Sequence, residues 1–377
     1  SVIATIFVLI TNATSECERH RKPWHLLTDE EQMQYVTAFK ELRYNGILDV
    51  FIETHHLADT PLAFADVHYT AQFFPWHSYF LTEIESQIRS LGKEYECFSL
   101  PYWDFTVDAG YSHANDMPIY SSVLGADGNE DNDFCVEDPL WNRDVYPTTY
   151  LCSDTEKALG INCCLKRHHG ERGHIPDADT LAPHIYENHR WWDFQESVLK
   201  EHTYVHAYVS ANMNCTHMFG HNAAEDPLFI LLHNFLMYIR ALRTTCFGYD
   251  KMINELEKYQ PYSYDPYQDN READMKPFLD VPMDFNVLAQ QEWSRAYKED
   301  ITVRKVFDLA TWDISYELGT FWHQSSGLQK YCTENLNTTW FYDSTEFDTP
   351  RRNRHGDDDE EMSFNLEAFL FSDDSGE

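Results

Sequence analysis

The sequence predicts a mainly α fold, with helices paired into a bundle beneath long disulfide-pinned loops and a few short strands. Apolar residues recur at helical spacing in five stretches between Pro23 and Leu242. Between these stretches, residues 105–185 are rich in Asp, Asn, Gly, Pro and Cys and carry little periodicity. Nine cysteines supply the pins. At 377 residues the chain is long enough to bury a large core.

The elements follow in order. Val2 to Ile10 is an apolar run ending in small residues near Thr14 and Ser15, so residues 1–16 read as a signal-peptide remnant, with a buried N-terminal strand as the competing reading. Residues 17–340 form the folded domain. Thr28 with Glu31 makes a capping box, and Tyr35, Phe39 and Leu42 follow at helix spacing. A second helix runs from about Ile47 to Leu57, with Phe51 and His55 on one side. A third runs from about Trp76 to Leu91, with Phe80, Ile84, Ile88 and Leu91 facing inward, until Leu100-Pro101-Tyr102-Trp103-Asp104 stops the helical pattern. Residues 105–185 make a long excursion over the helical core. Helical patterning returns from about Arg190 to Tyr208. It appears again after Asp226-Pro227, an N-cap followed by a proline at the first helical position, and runs to Leu242. Residues 250–340 are mixed loops and helices. Residues 341–377 hold 12 Asp plus Glu against 3 Arg and read as an acidic, disordered tail.

Composition narrows the function. Apolar residues make up 43% and aromatics 15%, the make-up of a globular protein. With 28 Lys plus Arg against 63 Asp plus Glu, the net charge of −35 disfavours nucleic acid and anionic membrane surfaces. Beyond the first ten residues no stretch approaches the roughly 20 apolar residues of a membrane span. Nine cysteines and three Asn-x-Ser/Thr sequons, at Asn12, Asn214 and Asn337, fit export to an oxidising compartment. The odd cysteine count leaves one free or paired outside the chain.

The chemistry is carried by histidine, 19 in all. His202 and His206 stand four apart, so both imidazoles project from one helix face. His233 is embedded in Asp226-Pro-Leu-Phe-Ile-Leu-Leu-His, a helix apolar nearly throughout, where an imidazole must be hydrogen-bonded or liganded. The first half repeats the arrangement. His55 sits on a helix, His68 precedes a short connector, and His77 lies in Phe-Phe-Pro-Trp-His-Ser-Tyr-Phe. Six neutral imidazoles suit copper, zinc, iron or nickel, and the lack of Cys or Met among them argues against an electron-transfer copper.

Taken together, RKPWHLLTDEE, FIETH, VHYTAQFFPWHSYFLTEIE, LPYWDF, HTYVH and DPLFILLH resemble, in order, the motifs of the type-3 copper proteins: tyrosinases, catechol oxidases and, more distantly, molluscan haemocyanins. The segment from Asp269 to Phe278 is similar to one downstream of the copper sites in animal tyrosinases. The resemblance implies a four-helix bundle holding a dinuclear metal centre, two helix pairs each presenting histidines to one of two copper ions. By position it places the first copper on His55, His68 and His77, with His56 a rival for the first place, and the second on His202, His206 and His233. Phe229 falls where the family packs a Phe near the metal pair. O2 is the implied co-substrate and a small phenol or catechol, or a tyrosine-rich protein, the implied substrate, oxidised to an o-quinone. An O2-binding haemocyanin-like role, or a secreted matrix relative holding zinc or no metal, are the alternatives.

Departures from the family pattern matter too. Thr203 stands where the resemblance places an Asn that helps a Glu hold a water, and Glu196 and Glu201 both remain candidates for that acid. Leu232 replaces the first of two adjacent histidines, and Ser78 an Arg. Glu85, Trp103 and Asp104 read as structural, the loop histidines 168, 169, 174, 184 and 189 as exposed, and His217 and His221 as candidates to line an entrance.

Overall fold

The computed structural model describes residues 17–343 apart from 59–66, 69–71, 112, 121–122, 171–172, 212–214, 260–277, 281, 309–311 and 333–339. The proposed signal remnant, the acidic segment from Ser344 onward, all three sequons and most of the Asp269–Phe278 segment lie outside these residues. Described helices are α1 (Asp29–Tyr44), α2 (Ile47–Ala58), α3 (Phe73–Arg89), α4 (Asp154–Leu159), α5 (Ala178–Tyr186), α6 (Trp191–Ser210), α7 (Pro227–Phe247) and α8 (Tyr249–Tyr259), with shorter turns after them. The chain is mainly α, as its periodicity predicts.

α1 starts at Thr28 because two orphan amides are satisfied there. The Thr28 hydroxyl accepts from the Glu31 amide at 3.2 Å, and the Glu31 carboxylate accepts from the Thr28 amide at 2.9 Å. α7 begins the same way, the Asp226 carboxylate accepting from the Leu228 amide at 2.9 Å, with Pro227 in the first turn. From Pro227 to Thr244 every residue of α7 is buried. Such a helix is the core element that others pack around. α3 lies along it, buried from Phe73 through Glu85. The polar Asn234 survives at this depth because it is fully used: it accepts from Arg21 at 2.8 Å and donates to the carbonyls of Leu100 and Pro101.

A small parallel sheet of order β1-β2-β3 joins β1 (Arg19–Arg21), β2 (Ile314–Glu317) and β3 (Phe341–Tyr342), with Arg19 opposite Ile314 and Tyr316 opposite Phe341. Its first strand is clamped to α3. Arg19 and Arg21 both reach the fully buried Glu85, at 3.1 and 3.0 Å, and Glu85 also accepts from the Leu100 amide at 2.7 Å. Glu85 is therefore a structural anchor, as its sequence position suggests. The sheet takes in Phe341 and Tyr342, two residues that composition assigned to the acidic segment.

Four disulfides join Cys17–Cys97, Cys135–Cys164, Cys152–Cys163 and Cys246–Cys332, and Cys215 is free. Two of them pin the 105–185 excursion. A buried ion pair of Arg167 with Asp226, at 2.7 Å, ties the end of that excursion to the start of α7. The excursion also contains α4 and α5, which the sequence did not reveal. At 6 and 9 residues they are too short to display a period, and α5 carries Pro183 inside it.

Candidate metal centre

Four of the long helices deliver the histidines. α2 supplies His55, α3 supplies His77 one turn in from Phe73, α6 supplies His202 and His206 one turn apart, and α7 supplies His233. His68 comes from the turn between α2 and α3. The ligand atoms gather into two triads, His55 with His68 and His77, and His202 with His206 and His233, each with its atoms within 4.8 Å of one another. The triads adjoin: the rings of His77 and His233 stack with centroids 4.7 Å apart. Neither triad contains a carboxylate.

Four of the six rings are oriented by main-chain carbonyls. Nδ1 of His77 donates to Phe73 at 2.8 Å, that of His233 to Phe229 at 2.9 Å, that of His206 to Met218 at 2.8 Å and that of His55 to His221 at 3.2 Å. Fixing the proton on Nδ1 leaves each Nε2 with its lone pair free to bind a metal. Nε2 of His77 is buried with no hydrogen-bond partner among the described residues, and Nε2 of His202 and His233 face one another at 3.1 Å. Two nitrogens held about 2.0–2.1 Å from one tetrahedral metal lie about 3.3 Å apart, so this pair is placed as metal ligands would be. Burial, with the crowding of neighbouring imidazoles, holds His77, His202 and His233 well below the ordinary histidine range. Neutral imidazoles are what metal binding requires. The residues present fit a pair of imidazole-bound metal ions.

Aromatic rings wall the triads. Phe229 packs against His233 at 3.9 Å and His55 at 4.7 Å, and Phe73 against His77 at 4.6 Å. His56, the rival to His55, faces away and stacks on Tyr150 at 5.2 Å. A cavity of about 520 Å³ reaches the site, bordered by His55, His68, His202, His206 and Phe229 and by Trp192, Glu196, Lys200 and Thr203 of α6. The Thr203 hydroxyl is turned back to the Leu199 carbonyl at 2.9 Å. Glu196 thus borders the cavity, whereas Glu201 is held by His174 and His184 at 3.3 and 3.5 Å.

Trp103 donates to Asp108 at 2.6 Å, and Asp104 accepts from the Phe321 amide at 2.8 Å, both as core locks. His217 is buried against Glu225 at 3.1 Å rather than at an entrance. His169, expected in solvent, is instead packed against Asp127 and Tyr120 because the excursion folds over it. Sequence reasoning missed Trp192 and Lys200 on the cavity and the carbonyls of Met218 and His221 that orient ligands. Trp192 and Lys200 share the helical stripe of Glu196, which could have found them. A carbonyl leaves no mark in the sequence.

A family model described as the common central domain of tyrosinase matches residues 45–242. Among curated proteins the chain is similar to a tyrosinase of Streptomyces antibioticus, 37% identical over 91 residues that cover 23% of this chain and 32% of that one. It is also similar to a tyrosinase-like protein of Diaporthe leptostromiformis, 32% identical over 131 residues covering 32% of each chain. The matches thus span about a third of the length of these relatives. Among solved structures, a polyphenol oxidase variant of Thermothelomyces thermophila aligns with TM-score 0.56 and 16% identity over 80% of this chain and 90% of that one. A deoxygenated hemocyanin from Rapana thomasiana aligns with TM-score 0.52 and 19% identity over 84% and 73%. At such identities the structural likeness concerns the fold alone.

Proposed function

Because the chain belongs to the family that shares the common central domain of tyrosinase, we propose that it is a secreted dicopper oxidase that converts phenols or catechols to o-quinones. One copper would be held by His55, His68 and His77, the other by His202, His206 and His233. When bound, the copper pair supplies the electron transfer to O2, so that two catechols become two o-quinones while one O2 becomes two waters.

The protein's own contribution is orientation and access. The carbonyls of Phe73, Phe229, Met218 and His221 hold imidazole tautomers that would otherwise exchange. Phe73 packs behind the triads, and Phe229, which borders the cavity, offers a ring to an aromatic substrate. Glu196, the acid that borders the cavity, is the carboxylate we assign to take the phenolic proton. The Thr203 hydroxyl is committed to its own helix and does not help it. Four disulfides support an extracellular setting. A small phenol, or a tyrosine on a protein, is the substrate class that fits.

The observation that carries this reading is the open cavity of about 520 Å³ ending on both triads, since an oxidase must admit a ring as well as O2. The protein is to be loaded with copper, its metal content measured, and O2 uptake followed with catechol. Two coppers per chain with catechol-dependent O2 uptake is the expected result. Two coppers with reversible O2 binding and no turnover would instead mark a carrier like the haemocyanins. Failure to retain copper would leave a zinc-bound or metal-free relative, and the oxidase reading would fall.

A further inference from the structure

Besides its histidines, α6 carries four charged side chains, and two of them are already used. Asp193 pairs with Arg190 at 2.8 Å, and Glu201 lies between His174 and His184 at 3.3 and 3.5 Å. The other two, Glu196 and Lys200, are exposed, border the cavity and have no ion-pair partner among the described residues. They stand four apart, the spacing at which a Glu and a Lys ordinarily meet on a helix, yet they do not pair with each other. The Lys200 ammonium lies 5.8 Å from the Tyr204 ring, a contact that leaves its three donors unspent. Trp192 and Leu199 of the same helix, with Phe219 beyond it, give the cavity apolar walls beside these two charges.

We propose that Lys200 is a specificity-determining residue, which selects phenols or catechols whose side chain ends in a carboxylate. The proposal rests on the oxidase reading of this cavity. In that reading Glu196 serves the phenolic hydroxyl, so the far end of the substrate is left for another group. Among the described residues that border the cavity, Lys200 is the sole ammonium or guanidinium. In a chain of net charge −35 an anion is repelled over most of the surface, and a cation at the cavity edge sets where a carboxylate is tolerated. A neutral ring gains nothing from Lys200, and a ring bearing an ammonium is repelled by it. Exposure keeps the gain modest, since an ion pair facing solvent changes an affinity by about fivefold at most.

The competing reading is a plain solvated lysine, and substrate ratios separate the two. Copper-loaded wild type, Lys200→Met, Lys200→Arg and Lys200→Glu are compared by O2 uptake with dihydrocaffeate, methylcatechol and dopamine. The readout is the ratio of kcat/KM between substrates, which cancels differences in folding and copper content. The dihydrocaffeate-to-methylcatechol ratio should fall about fivefold in Lys200→Met, through KM, and survive in Lys200→Arg. In Lys200→Glu the preference between dihydrocaffeate and dopamine should move toward dopamine. Ratios equal to wild type in both Lys200→Met and Lys200→Glu would overturn the proposal. A chain that turns over no catechol sinks the oxidase reading, and binding then decides alone. Calorimetry with hydrocinnamate, which has a carboxylate but no phenolic hydroxyl, should show weaker binding to Lys200→Met than to wild type. Equal affinity, or no binding to either, overturns the carboxylate site.

Discussion

At the scale of single residues, the molecule spends its polar groups in closed sets. Glu225 is fully buried, yet it accepts from the amides of Thr149 and Tyr150 at 2.6 and 3.1 Å and meets His217 at 3.1 Å. It closes the turn Gly220–Glu225, and that turn carries the His221 carbonyl on which the His55 ring rests. A group one step removed from the triad therefore fixes one of its members. Asp108 behaves differently. Burial pushes its carboxyl up to about 7, against the pull of the Trp103 indole and the Ile119 amide. In the unfolded chain it titrates near 3.9. Between those values the folded state holds the extra proton, so this group's contribution to stability falls as pH rises and is flat above about 7. Asp108→Asn abolishes that slope. In urea unfolding of the disulfide-intact chain, the stability difference between Asp108→Asn and wild type should shift toward the variant from pH 5 to pH 8. A pH-independent difference would refute the assignment.

At the scale of elements, what distinguishes the helices is how much of each one the rest of the chain covers. α1 shows solvent one face and buries Tyr35, Phe39 and Leu42, the i, i+4, i+7 stripe of an amphipathic helix. Its start depends on a single hydroxyl. Thr28→Ala removes the acceptor for the Glu31 amide and should cost about 1 kcal/mol, read as a lowered urea midpoint with unchanged slope. Thr28→Ser, which keeps the oxygen, should lose much less. α3 and α7 are covered on nearly every side, α3 from Phe73 through Glu85 and α7 from Pro227 through Thr244. Their polar residues are the informative ones: Asn234 ties β1 to the Leu100 turn, and His77 and His233 each belong to one of the histidine triads.

For the whole molecule, segments far apart in sequence are fastened at a few points. β1 near the start pairs with β2 some 295 residues later. Cys246–Cys332 joins the end of α7 to a helix that packs against α5 and α7 (Ser326–Cys332) across a separation of 86 residues. Chain-entropy arguments give a loop of that size a stabilisation of about 4.6 kcal/mol in the absence of strain. The double variant Cys246→Ser with Cys332→Ser should therefore unfold at clearly lower urea than wild type under non-reducing conditions. α7, which carries His233, is also fastened through Asp226 and Asn234, so the copper-loaded triads should keep their metal below that midpoint. Loss of metal in step with the disulfide would show that the bond shapes the site itself.

The sequence by itself determined the helices that are long and regular, and its resemblance to a family singled out the histidines, with His55 and His56 both open for one place. The helices rest on local rules, a capping box at Thr28, a Pro227 start and the four-residue spacing that puts His202 and His206 on one face, and the histidine set rests on motifs resembling a family's in a fixed order. A cap or a helical spacing needs only its near neighbours, so it can be read directly. It could not separate His55 from His56, because adjacent helical residues differ only in the direction the helix finally faces. The fold decides that, by packing His55 toward His77 and Phe229 and laying His56 on Tyr150. Nor could it choose between Glu196 and Glu201, five residues apart on α6. Only tertiary structure puts one beside the cavity and the other between two histidines, because segments distant in the chain supply the surroundings of each.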